Sequence, residues 1–352
     1  MDDNQLSTSQ ENIKLLVGPH QVAIDVTNKC NLRCLHCYNN SGENQVIADE
    51  LSDDDIRKFV DELADMGIYN ICYCGGEPLL RRKLLFECTA KLKEAGVPNI
   101  SMVTNGLLLT KEVAKEIKES GINRVQISLD GARAVSHDRI RNKKGVYEQA
   151  IRAINNLKSV GINANIAFTP TSFNIGEFED VHALLRGLEL YDIDFRLQPL
   201  MFMGRASENL KDICPSPEMY RELLKKVYKI NKEGIEPHIT WGDPVDHLIR
   251  FTEQPVCNNQ CMIRANGDIV ASTYLPLVVG NIRKHTLQEY WEAGLRDIWS
   301  FKVVREFGVQ IKCIADMEGT NPLYPRVWVD KDIYIDLIDD DLNDLEQLKK
   351  YL

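Results

Sequence analysis

One join recurs along this chain and limits its folds more than any other feature. Five times a helical apolar pattern closes on glycine and an Ile or Val opens an apolar stretch: Gly67-Ile68, Gly96-Val97, Gly121-Ile122, Gly161-Ile162 and Gly234-Ile235. Glycine suits the position after a helix because it takes the left-handed conformation without a Cβ clash. Helices with one apolar face fill the intervals. Ser52 with Asp55 reads as a capping-box start for Ile56, Phe59, Val60 and Leu63. Thr110 caps Val113, Ala114 and Ile117; Ala150–Leu157 and Val181–Leu188 follow; Pro217 opens the last, with Leu223, Leu224, Val227 and Ile230. The strands are short: Val22–Val26, Ile68–Tyr73, Ile100–Val103, Val125–Leu129, Ala164–Phe168 and Ile193–Leu197. Alternation of this kind predicts right-handed βαβ units and a parallel sheet. Six strands fit an open, partial barrel or a doubly wound sheet, and either places ligands at the carboxyl ends of the strands.

The rhythm sets the domain limits. Residues 1–20 read as a lead-in, 21–235 as the α/β core, 236–256 as a Pro- and Gly-bearing connector, 257–329 as a small extension and 330–352 as an acidic tail. The extension has strand-like pieces at Asp268–Ala271 and Leu277–Val279 and a helix near Leu287–Trp299. From Asp330 to Glu346 the tail has eight acids to one Lys, expected to be a solvated strand and helix. A formal charge of −10 argues against a general nucleic-acid binder. Met1–Gln10 has neither a basic n-region nor an apolar core, and no run approaches membrane-spanning length, so a cytoplasmic, non-membrane protein is expected. Ten cysteines in that compartment point to metal or redox chemistry rather than bridges.

Three of those thiols fall within eight residues, Cys30-x3-Cys34-x2-Cys37, directly after the first strand. Such crowding is poor for disulfides and suits a soft metal centre. A 4Fe–4S cluster held by three cysteines would leave one iron open. Zinc is the alternative, although a structural zinc site wants a fourth ligand and none lies close in sequence. Cys74-Gly75-Gly76-Glu77-Pro78 ends the second strand on the same rim. Its glycines permit close backbone approach, and its carboxylate can accept from an ammonium. Cys72 and Cys74 are expected to pack as small strand residues. Thr104-Asn105-Gly106 follows strand three, Ser128-Leu129-Asp130-Gly131 follows strand four, and Ser136-His137-Asp138-Arg139-Ile140-Arg141 comes next.

Together these motifs, over residues 20–235, resemble the radical S-adenosylmethionine (SAM) superfamily. The resemblance implies a partial (β/α)6 TIM-like barrel and a 4Fe–4S cluster on Cys30, Cys34 and Cys37 with SAM on its open iron. It implies reductive cleavage to a 5′-deoxyadenosyl radical, with electrons from a carrier such as flavodoxin or ferredoxin. It also assigns SAM contacts: Gly75, Gly76 and Glu77 to the amino group, Ser128 to the ribose, His36 beside the adenine, and Arg139, with Arg141 in reserve, to the carboxylate. Met203-Gly204-Arg205-Ala206, Cys257 and the extension resemble the SPASM/twitch branch, whose members carry extra clusters and mostly modify peptides.

The branch's cysteine pattern is broken here. Ser272 stands where a second cysteine follows Gly267, and Asp316 ends what would be a Cys-x2-Cys at Cys313. Cys257, Cys261 and Cys313 remain as candidate ligands of one auxiliary cluster, and a cluster-free lid is the other reading. Thr273 occupies the slot of the catalytic Asp of sulfatase-maturing relatives, which discounts formylglycine formation. The expected activity is modification of a peptide, a ribosomally made precursor, by cross-linking or by epimerisation with Cys214 as candidate hydrogen donor. A small-molecule (sugar or aminoglycoside-like) dehydrogenase or epimerase and a non-catalytic iron–sulfur scaffold are the alternatives. A 20-residue lead-in is short for a leader-binding module, so a peptide substrate would need another docking surface or a separate leader-binding protein as partner.

Overall fold

The computed structural model describes residues 18–42, 49–242, 258–273, 275, 277–309 and 333–350. Seven strands form a parallel run in chain order: β1 (Gln21–Asp25), β2 (Asn70–Cys74), β3 (Asn99–Thr104), β4 (Arg124–Ser128), β5 (Asn165–Phe168), β6 (Phe195–Leu197) and β7 (Ile239–Trp241). Between them run α1 (Asp53–Met66), α2 (Arg82–Glu94), α3 (Lys111–Ser120), α4 (Ala134–Arg141), α5 (Val146–Ser159), α6 (Phe178–Gly187), α7 (Arg205–Ile213) and α8 (Pro217–Lys232). Sequential pairing with helical crossovers makes a partial TIM-like barrel.

Local chemistry explains the element ends. Ser52 and Asp55 form the reciprocal capping box of α1, and Thr110 and Ser216 cap α3 and α8. The five glycines of the repeated join all have positive φ. Along each strand one face turns to the helices: Val22, Ile24, Ile71, Tyr73, Ile100, Met102, Val125 and Ile127 are at most 1% exposed. Full burial of such side chains is worth about 1.5–3 kcal/mol each, so this face carries the fold's stability. The alternate residues, among them Asp25, Cys72, Cys74, Ser101, Gln126, Ser128 and Arg196, lie on the inner face and are free to be polar.

Two expectations change. The segment expected as a connector, 236–256, contributes β7, paired with β6 through Phe195↔Ile239. Three residues are too few to show a period. Asn231 fixes this strand by donating to the Ile239 carbonyl (2.8 Å) and accepting from its N–H (3.0 Å). The extension also continues the core sheet. β8 (Gln260–Ile263) runs parallel to β1, and β9 (Asp268–Val270), β10 (Leu277–Asn281) and β11 (Ile333–Tyr334) follow outward. The helix expected near 287–299 is α9 (Leu287–Ala293) followed by a 3₁₀ stretch, Leu295–Ser300. In the acidic tail Ile335, Leu337 and Leu342 are buried, while Asp339, Asp340 and Asp341 are exposed.

Candidate active site

The cysteine loop leaves β1 at the carboxyl end of the sheet and is fastened from three sides. From β2, Gly76 N–H donates to the Thr27 carbonyl (2.8 Å) and Glu77 N–H to that of Lys29 (2.9 Å). The approach is so close that a Cβ at Gly76 would lie 2.1 Å from Lys29 O, and one at Gly75 2.4 Å from Thr27 O. These glycines therefore serve first to let two loops touch. From β3, Asn105 Nδ2 donates to Asn31 Oδ1 (2.8 Å). From the start of α7, Arg205 N–H donates to the Cys37 carbonyl (2.9 Å). Its guanidinium donates to the carbonyls of Cys34 (3.0 Å) and Ser41 (2.6 Å) and to Asn40 Oδ1 (3.3 Å). Gly204 allows this contact, since a Cβ there would sit 2.3 Å from Tyr38 O. The Gly-Arg-Ala turn, legible in sequence only as a branch marker, is thus a clamp on the cysteine loop.

Each of the three sulfurs faces an N–H donor: Asn105 Nδ2 at 3.8 Å from Cys30, an Arg141 amino group at 3.7 Å from Cys34, and the Ser41 N–H at 3.4 Å from Cys37. Donors of this kind favour thiolates, the form that binds iron. Burial pushes the Cys30 thiol up to about 12 and raises that of Cys34 despite the nearby Arg141. Loading the site therefore releases protons. The donor set fits a cluster.

Behind the loop lies a buried charge network. Asp130 Oδ2 is 2.9 Å from His36 Nε2 and 2.6 Å from the Arg141 guanidinium, and Asp130 Oδ1 accepts from Thr169 N–H (2.9 Å). Burial alone would raise the Asp130 carboxyl, but Arg141 and His36 hold it well below the usual carboxylate range. Burial lowers His36 in spite of Asp130. Among the described residues His36 Nδ1 and Arg141 Nε are buried with no hydrogen-bond partner.

Of the two arginines of α4, Arg141 reaches the Cys34 sulfur and Asp130. Arg139 is exposed and lies over the Phe173 ring at 3.6 Å. Residues two apart on a helix point to opposite sides, so α4 can present only one of them inward. Glu77 is fully buried, and its oxygens accept from Leu79 N–H (3.2 Å), Thr104 Oγ1 (2.8 Å) and Asn105 N–H (2.9 Å), joining the rims of β2 and β3. Its carboxyl is raised by burial. Ser128 ends β4 on the inner face. Cys214 packs against Ile140, Leu200, Ala206 and Ile213, and its thiol donates to the Pro215 carbonyl (3.4 Å).

Of the candidate auxiliary ligands, Cys261 lies on β8 opposite Val22 and is buried in the main apolar core. Cys257 and Cys313 lie outside the described residues. Asp130, Asn105 and Arg205 carry the site without having been singled out individually; their motifs were visible, but the partners are distant in sequence. No helix among the described residues is long and apolar enough to cross a membrane.

The model of the radical SAM superfamily matches residues 24–185. The chain is 33% identical over 308 residues to mycofactocin maturase MftC of Mycolicibacterium smegmatis, covering 83% of this chain and 74% of the relative. It is 29% identical over 304 residues to an AdoMet-dependent heme synthase of Methanosarcina barkeri, covering 80% and 84%. Its fold is similar to that of Streptococcus suis SuiB bound to S-adenosylmethionine, with a TM-score of 0.66, 16% identity, and 98% and 84% of the two chains covered. SuiB bound to its precursor peptide SuiA gives 0.63 at 14% identity, covering 81% and 67%. The chain therefore belongs to the radical SAM superfamily and is an enzyme whose cofactors are a 4Fe–4S cluster and S-adenosylmethionine.

Proposed function

We propose that this enzyme is a SPASM/twitch-type member that modifies a peptide, with Cys30, Cys34 and Cys37 holding the cluster. The 33% identity to a mycofactocin maturase over most of both chains is the observation that carries this reading. When bound, the cofactors supply a 5′-deoxyadenosyl radical that takes a hydrogen atom from the substrate. The chain's own residues do the rest. Asn105, Arg141 and Ser41 donate to the three sulfurs, and Arg205 holds the loop that bears them. The Gly75 and Gly76 carbonyls receive the SAM ammonium, Arg141 its carboxylate, and His36 and Ser128 border its nucleoside. Glu77 positions that turn through its three internal hydrogen bonds. The inner face of the sheet encloses the reaction and keeps water from the radical. Electrons come from a flavodoxin- or ferredoxin-like carrier in the cytoplasm, and a separate protein presents the leader of the precursor.

The test is anaerobic reconstitution with SAM, dithionite and short peptides encoded beside the gene. Loss of two hydrogens from a peptide marks a cross-link; deuterium gained from D2O at unchanged connectivity marks epimerisation. The 29% identity to a heme synthase over 84% of that protein supports a second reading, an iron tetrapyrrole as substrate. Turnover of the tetrapyrrole with no change in any peptide would replace the first reading by the second. A Cys34→Ala variant that keeps its iron and its 5′-deoxyadenosine production would refute the cluster assignment.

A further inference from the structure

Cys72 and Cys74 both lie on β2, as expected of strand residues, and share one face of it. Ile71 and Tyr73 take the helix-facing side of β2 and are fully buried, so strand alternation turns both thiols to the inner face. Their sulfurs lie 3.4 Å apart. The parallel registers surround them with polar neighbours: Asp25 of β1 sits opposite Cys74, and Ser101 of β3 opposite Cys72. Asp25 is 3% exposed, and its Oδ1 has no hydrogen-bond partner, while its Oδ2 accepts only a 3.3 Å contact from Asn39 among the bonds described. Gly75 follows Cys74 directly, which puts the pair beside the turn assigned to SAM.

We propose that Cys72 and Cys74 form a dithiol that returns a hydrogen atom to a carbon radical held on the inner face, with Asp25 as the proton acceptor. The thiol S–H bond breaks homolytically, its hydrogen forms the new C–H bond, and a thiyl radical remains. The second thiol gives its proton to the Asp25 carboxylate, and the two sulfurs join with one electron in excess. That electron leaves to a one-electron carrier of the iron–sulfur or flavin class, and a disulfide results. A dithiol reductant restores the pair for the next turnover. The sum is one hydrogen atom, one proton and one electron from two thiols.

The geometry suits these steps. Two sulfurs in van der Waals contact can share the radical as it forms. Burial raises Asp25 to about 7 against the pull of Arg264 and Asn39, so its carboxyl takes and gives a proton near neutrality. The charges that face the pair are Asp25, which disfavours a thiolate, and Arg196, which favours one. The inference rests on the SAM placement proposed above.

The test needs no identified substrate. The reconstituted holoenzyme is incubated in D2O with SAM and a one-electron reductant, so that the 5′-deoxyadenosyl carbon itself is the acceptor. Both thiols exchange to S–D. The expected result is monodeuterated 5′-deoxyadenosine and a Cys72–Cys74 peptide lighter by two hydrogens. In Cys72→Ser/Cys74→Ser the deuterium falls to the H2O background while iron content and SAM binding stay at wild-type level. The peptide mass is read on the wild type, so it decides the matter even where the variant fails to fold. If 5′-deoxyadenosine forms without deuterium, or the wild-type thiols stay reduced, the dithiol role is overturned. If no 5′-deoxyadenosine forms at all, the SAM placement fails first and the dithiol role falls with it.

Discussion

Replacing Arg205 with alanine tests whether the cysteine loop is held from outside or holds itself. The guanidinium donates to two loop carbonyls and one side-chain oxygen, spanning Cys34 to Ser41, and so brackets two of the three proposed ligands. A hydrogen bond from a charged donor contributes about 1.5–3 kcal/mol when its partner is buried. Three would give an upper bound of about 5–9 kcal/mol, but the contacts share one side chain and Arg205 is only partly buried, so water replaces part of them. A loosening of about 2–4 kcal/mol in the loop follows. The backbone bond from Arg205 N–H to the Cys37 carbonyl survives the substitution, which limits the damage to the loop. The assay is iron and sulfide per chain after anaerobic reconstitution, read beside amide exchange of residues 30–41. Arg205→Ala should lose most of its cluster and most of the loop's protection while the sheet stays protected. Arg205→Lys, a point donor without the fork, should fall between. An alanine variant with full iron and an unchanged loop would refute the clamp.

Asp130→Asn leaves Arg141 buried without its counter-charge, which costs about 3–5 kcal/mol by urea denaturation. Because the folded carboxyl lies below its unfolded value, this stabilisation is complete above about pH 4 and is lost as pH falls through the folded value. The gap between wild type and variant should therefore be flat at neutral pH and close only in strong acid; a gap that opens on acidification would contradict the sign. Gly76→Ala places a Cβ against the Lys29 carbonyl, forcing both backbones apart at a cost of about 1–3 kcal/mol, and SAM affinity should drop by equilibrium dialysis. Unchanged affinity would mean that the two loops separate without consequence. Cys261→Ser puts a hydroxyl into the apolar core, so it should destabilise the fold yet leave iron content unchanged. A fall in iron at equal folded fraction would make Cys261 a ligand after all.

Several of these residues show where sequence reading stops. Ser52, Thr110 and the five helix-ending glycines could be placed because their signals involve neighbours three or four residues away. The choice of Arg141 over Arg139 could not be made that way, because it depends on how α4 docks against the sheet. The motif shows Glu77 but not its bonds to Thr104 and Asn105, which lie 27 and 28 residues on. Three-residue β7 and the sharing of one sheet by core and extension were equally hidden, since short strands carry no period and pairing is non-local.

By itself, then, the sequence determined the parallel βα core, the loop of three thiols at a strand's carboxyl end, and the glycine turn beside it. Hydrophobic period and residue spacing encode these locally. Only the tertiary structure decided what meets across the sheet: Arg205 on the cysteine loop, Asp130 between His36 and Arg141, and Asp25 beside Cys74. Those meetings depend on strand register and helix rotation, which burial of the opposite, apolar face fixes for the whole sheet at once.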